Sequence, residues 1–180
     1  MNDVMSPTEL KAQAIQSYQQ GDFASAAALF EAAAKGYESA GEDLEAAEML
    51  NNASVAYVQA EQGKEALRVV LPTVEVFQEH GDIRRVGMAY GNLAAAYEAC
   101  QNNEAAMNAY QQSAEYLKAA GEDELSLHAL KALSALQLKM GKQIAALNTM
   151  QTALEDVKHP TLKQRLLKKL LKTPWNLLGR

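Results

Sequence analysis

Leu50-Asn51-Asn52-Ala53-Ser54-Val55-Ala56-Tyr57 is answered, forty residues later, by Tyr90-Gly91-Asn92-Leu93-Ala94-Ala95-Ala96-Tyr97. In each stretch the residues at i, i+3, i+4 and i+7 are a large residue, two small or apolar ones and a tyrosine, which is one face of an α-helix. The step of 40 extends outward in both directions. Leu10, Leu50, Tyr90 and Leu130 form one column, Ala14, Ser54, Ala94 and Ser134 the column four residues on, and small residues again recur at Ala26, Ala66, Ala106 and Ala146. Small and large residues alternating at fixed places suit helices that cross closely, so the repeat is a packing unit.

Breaks at Gly21-Asp22, Gln62-Gly63, Asn102-Asn103 and Met140-Gly141 divide each unit into two segments, and Gly41-Glu42-Asp43, Gly81-Asp82 and Gly121-Glu122-Asp123 separate one unit from the next. Glycine suits the left-handed residue that ends a helix, and acids suit the positive N-terminus of the next. Ser6-Pro7-Thr8-Glu9 has the form of a capping box with proline at the first helical position, so the array is expected to begin there. The expected hairpins are about 7–41, 43–81, 83–121 and 123–158, in a body of residues 1–160.

Composition agrees. The chain has 180 residues, 48% of them hydrophobic but only 6% aromatic, and alanine, the strongest helix former, dominates the apolar stock. No run of 18 apolar residues and no signal-peptide pattern is present, and the single Cys100 forms no internal disulfide; a soluble, cytoplasmic protein is the expectation. The net charge of -5 conceals an asymmetry. Residues 1–156 carry all 22 acidic side chains against 10 Lys and Arg, and residues 157–180 carry seven basic side chains and no acid. An acidic body does not suit nucleic acid, which needs basic surface.

These residues resemble the tetratricopeptide repeat, with Asn51 to Tyr57 and Tyr90 to Tyr97 similar to its first helix. The 40-residue period resembles the long-helix subclass of kinesin light chains and Pins/LGN-type proteins. The resemblance covers residues 7 to about 157 and implies an all-α, right-handed solenoid of four helical hairpins with a C-terminal capping helix, working as an adaptor or chaperone-like scaffold. It implies no enzyme and no cofactor. The sequence itself offers no catalytic group and no metal set, because His80, His128 and His159 are far apart and no phosphate loop or nucleophile motif occurs.

In such an array the first helix of each hairpin leaves one stripe on the inner surface. Spacing assigns it Thr8, Ala12, Ile15 and Gln19; Glu48, Asn52, Val55 and Gln59; Met88, Asn92, Ala95 and Ala99; and His128, Ala132, Ala135 and Lys139. Candidate partner-binding residues are Glu48, Asn51, Asn52, Val55, Gln59, Met88, Asn92, Ala95, Ala99, His128, Lys131 and Ala135. The resemblance implies that Asn52 and Asn92 bond the main chain of an extended peptide, since an amide both donates and accepts. Lys11 and Asn52 match two places of the family's carboxylate clamp, whereas Ile15, Met88 and Asn92 occupy the other three, and Glu48, Met88 and His128 stand where Pins/LGN-type domains tend to be basic. The expected partner is therefore an extended peptide or amphipathic helix that is not strongly acidic.

Leu162, Leu166, Leu167, Leu170 and Leu171 make an apolar face, opposite Lys163, Arg165, Lys168, Lys169 and Lys172. Residues 161–172 are expected to cap the array, Leu170 falling 40 residues after Leu130. The alternative is a basic amphipathic helix that anchors a peripheral adaptor on a membrane or partner, with Trp175, in the tail 173–180, as a further contact.

Overall fold

The computed structural model describes residues 5–155 and, beyond them, Leu162, Arg165 and Lys169. Among the described residues are eight helices and no strand: α1 (Pro7–Gln19), α2 (Phe23–Ala40), α3 (Asp43–Gln59), α4 (Gly63–Glu79), α5 (Ile83–Ala99), α6 (Asn103–Ala119), α7 (Asp123–Lys139) and α8 (Gln143–Glu155). None is long and apolar enough to cross a membrane.

Local chemistry sets the ends. Ser6 Oγ accepts from the Glu9 amide while Glu9 returns a bond to the Ser6 amide, closing the capping box ahead of Pro7. Asp22, Asp82 and Asn102 cap α2, α5 and α6 through the amides three residues on. The turns follow one plan. After each of α1 to α7 one residue adopts φ near +70°, its amide and the next bonding back to the last carbonyls, as Gly81 does to Gln78 and Asp82 to Phe77. Glycine takes that place at five turns, but Glu61 (φ 60°) and Gln101 (φ 61°) take it at the other two.

Gly63 has a different task from the other turn glycines. It opens α4, is buried, and a Cβ there would stand 2.9 Å from the Cβ of Ala99 and 3.0 Å from its carbonyl carbon. The second hairpin thus touches the third backbone to backbone.

Each helix packs on its neighbours in sequence, and α3 also meets α5. Ala26, Ala66 and Ala106 have no exposed surface and Ala146 2%, placing the small residues at close crossings. Larger side chains fill between them: Phe30, Met49 and Val69 early, Val70, Phe77, Val86 and Leu93 centrally, and Leu130, Leu133 and Leu136 late. Buried serines donate to carbonyls of adjacent helices, Ser113 to Gly87 (2.8 Å), Ser126 to Ala114 (2.9 Å) and Ser134 to Ala146 (2.9 Å). Each such bond satisfies a polar group that burial would otherwise penalise. The result is an all-α helical repeat, with the odd-numbered helices forming one row.

Leu162 is helical in backbone and 87% exposed, so this leucine of the expected cap is not covered. Arg165 and Lys169 are exposed as well. The other residues of the expected cap and tail, Lys163, Lys168, Lys172 and Trp175 among them, lie outside the described residues.

Candidate functional site: a cleft along the odd-numbered helices

The faces of α3, α5 and α7 enclose two adjoining clefts. The larger, about 320 Å³, lies between α5 and α7 and is lined by Met88, Asn92, Ala95, His128 and Ala132 with Leu125, and floored by Tyr110 and Leu117 of α6. The smaller, about 100 Å³, is lined by Val55, Val58 and Gln59 of α3, and by Asn92 and Ala95. Asn92 and Ala95 belong to both clefts and join them into one channel.

Spacing puts these side chains on one helical face because steps of four and three residues follow the helix surface. Small residues at Ala95 and Ala132 keep the walls on α5 and α7 low and the cleft open. Met88 (37% exposed) and Leu125 (38%) give the channel adaptable apolar contacts. Leu125 escaped the sequence reading, although it precedes His128 by one helical step of three.

Several candidate residues are committed elsewhere. Asn92 donates from Nδ2 to the side-chain oxygen of Asn51 at 3.0 Å, tying α5 to α3, and its own Oδ1 accepts from no described residue. Asn51 is buried and so is not on the channel surface. Glu48 carries Lys11 on one oxygen (3.2 Å) and Arg85 on the other (3.0 Å), bridging α1, α3 and α5. Arg85 also reaches Asp82 (3.3 Å). Lys11, a residue matching the carboxylate clamp, is thus held by an acid of the next hairpin.

Asn52 is half-exposed and bonds to no described side chain, leaving its amide available. Lys131 and Ala135 are exposed but line neither cleft. Ala99 lines a separate cleft with Gly63 and Cys100 at the turns. No group of three or more His, Cys, Asp or Glu is gathered as for a metal ion among the described residues.

The Tyr57 hydroxyl donates to Glu31, and Arg68 reaches the same carboxylate at 2.8 Å. Burial first, then the Glu31 hydrogen bond, pushes the Tyr57 hydroxyl up to about 12. At Tyr110 burial first, then the Glu98 charge, does the same, to about 12. For Glu31 burial acts upward, but the bonds from Tyr57 and Arg68 outweigh it and hold the carboxyl below its usual range. The Tyr57, Glu31 and Arg68 group ties α2, α3 and α4 together away from the channel, whereas Tyr110 ties α6 to Glu98 of α5 at the channel floor.

The channel is thus a shallow, mostly apolar trough with the Asn92 carboxamide and the His128 imidazole among its lining, while Asn52 lines neither cleft. Compared with curated proteins one by one, the sequence matches none. The family model described as "SNAP: Soluble NSF attachment protein, SNAP" matches residues 5–175. That family has a tetratricopeptide-like helical repeat fold, and the match does not single out the kinesin light chain or Pins/LGN-type subclass. With its helices packed in sequence order and nearly its whole length matched, the chain belongs to the soluble NSF attachment protein family, a family of helical scaffolds for protein interactions.

Proposed function

We propose that the protein is an adaptor that holds a segment of another protein, apolar or mildly basic, in the channel along α3, α5 and α7. The observation that carries this is the channel's continuity: Asn92 and Ala95 line both clefts, giving a trough over three hairpins. Its dimensions and small-residue walls suit an extended peptide or one face of an amphipathic helix. Acidic side chains outnumber basic ones in the body, so a strongly acidic segment would be repelled. The family description speaks of attachment to NSF; for this chain it supports attachment as the kind of work, and the channel supplies the partner's chemistry.

Fluorescence anisotropy against two peptide sets, apolar–basic amphipathic sequences and the same sequences with glutamate for lysine, tests the proposal. The first set is expected to bind and the second not. Ala95→Arg, which fills the junction of the clefts, is expected to weaken binding at least about tenfold, or 1.4 kcal/mol. Asn52→Ala should weaken it by about 0.5–1.5 kcal/mol with the melting temperature unchanged, since one exposed hydrogen bond is lost. Asn92→Ala should instead lower stability by about 1–3 kcal/mol, because buried Asn51 loses its donor. Equal binding of both sets, binding of neither, or indifference to Ala95→Arg would sink the channel as the site.

A further inference from the structure

A further cleft, sharing no residue with the channel, lies between α2, α3 and α4 and measures about 200 Å³. Leu50, Pro72 and Val76 give it an apolar floor, and Glu38, Asp43 and Glu79 stand at its rim. None of these three carboxylates is ion-paired with a described residue. The cleft opens at the edge of the array where α2, α4 and α6 end, which also carries the turns Gly41-Glu42-Asp43, Gly81-Asp82 and Gly121-Glu122-Asp123.

The third hairpin shows what belongs there. At the places of Leu50 and Val76, forty residues on, stand Tyr90 and Tyr116, whose rings stack at 5.6 Å and 17°. Gln78, Ile83 and Ala119 replace the three rim acids. So the same site is aromatic-filled and uncharged in the third hairpin, and unfilled and acidic in the second. The missing part is an aromatic side chain accompanied by cations.

The sequence contains one tryptophan, Trp175, and it lies in the stretch 157–180 that has seven basic residues and no acid. Successive helices run antiparallel, so α8 delivers the chain at the same edge as α2, α4 and α6. Trp175 follows Glu155 by twenty residues; with helical backbone at Leu162, Arg165 and Lys169 the seven steps between them rise about 1.5 Å each and the other thirteen at most about 3.3 Å, so the stretch can still span roughly 50 Å. The cleft is four helices away, about 40 Å at most for packed helices 8–10 Å apart. A volume of 200 Å³ is below the roughly 300–1,000 Å³ of small-molecule sites, and is on the scale of one large side chain. Trp and Arg are also the residues that most often anchor protein contacts.

We propose that the C-terminal segment docks on its own array, with Trp175 seated on Leu50, Pro72 and Val76 and the neighbouring basic side chains against Glu38, Asp43 and Glu79. Tethering supplies an effective concentration in the millimolar range, so even a weak contact is populated. An anionic bilayer would meet, beside the tail's exit, an edge of its own sign, which favours docking on the protein.

Tryptophan emission of the whole protein is the test, Trp175 being the sole reporter. The expected result is emission blue-shifted from that of a synthetic peptide of residues 161–180, with acrylamide quenching several-fold weaker, the same at every protein concentration. The protection should lessen between 0.1 and 1 M salt, as the screening length falls from about 10 Å to about 3 Å. Leu50→Tyr with Val76→Tyr copies the third hairpin's pair and should expel Trp175, returning emission and quenching to the peptide's values. Glu38→Lys with Glu79→Lys changes two exposed side chains, leaves the core untouched and should do the same. Circular dichroism confirms that each variant is folded. Peptide-like emission in the wild type, or shielding that survives both variants, overturns the proposal. Shielding that appears only at high protein concentration would assign Trp175 to a second copy, and shielding only with phosphatidylserine vesicles to a membrane; either overturns it.

Discussion

Tyr57 shows how much a single side chain ties together here. It comes from α3, donates to Glu31 of α2, and shares that carboxylate with Arg68 of α4, whose Nε also meets Glu65 at 2.7 Å. The neutral phenol is the form the fold favours, so its ionisation is raised to about 12, and that of Tyr110 likewise. A raised value in the folded state means that the stabilisation is complete below the unfolded value of about 10 and is lost as pH rises from there toward 12. The melting temperature is therefore expected to decline between pH 10 and 12. Tyr57→Phe should start from a lower melting temperature, having lost the bond to Glu31, but decline less steeply, with Tyr110 the remaining raised phenol. Phenolate absorbance recorded alongside the melts checks the assignment. An identical decline in wild type and variant would show that Tyr57 plays no part.

At the scale of elements, the turns separate two uses of glycine. Glu61 holds a left-handed conformation that costs an L-residue about 1–2 kcal/mol, and glycine would relieve that at an unfolded-state entropy cost of about 0.4–1 kcal/mol. Glu61→Gly is accordingly expected to stabilise by about 0.5–1 kcal/mol. Gly63, two residues on, answers to packing. Its added Cβ would press on the backbone of Ala99, which cannot rotate away as a long side chain can. Gly63→Ala should cost about 1–3 kcal/mol by overpacking, partly offset by alanine's better helix propensity. Urea midpoints of the two variants, moving in opposite directions, check this; a gain from Gly63→Ala would mean that the second and third hairpins are not in such close contact.

For the molecule as a whole, the hairpins form a nearly one-dimensional array in which each is held by its neighbours. Ion pairs cross between hairpins at Lys11–Glu48, Glu48–Arg85, Arg68–Glu31, Arg84–Glu122, Lys139–Glu98 and Lys142–Glu104. Their side chains are partly or largely exposed, so each contributes about 0–1 kcal/mol and the buried alanines and larger core residues carry the stability. Helices α4 and α5 have packed neighbours on both sides, while α1 packs chiefly on α2. Hydrogen exchange should therefore be slowest in α4 and α5 and fastest in α1, with a spread that persists in 1 M salt. Uniform protection along the chain would indicate a single cooperative block instead.

What the sequence determined by itself is the class of fold: helices, from alanine and the 3.6-residue period, and helix ends, from capping residues and glycines. These are settled within a few residues of chain, where propensity and local hydrogen bonding act. The 40-residue period identified the repeat but not its family, because lengthened hairpins of this kind are shared by several, and the match to soluble NSF attachment proteins made that distinction. The fate of individual side chains was decided by tertiary structure. Asn52 and Asn92 occupy equivalent places, yet Asn92 is spent on Asn51, 41 residues away, and Glu48 is spent on cations 37 residues away on either side. Such pairings depend on the register of one hairpin against the next, which packing of the whole array fixes and no local propensity encodes.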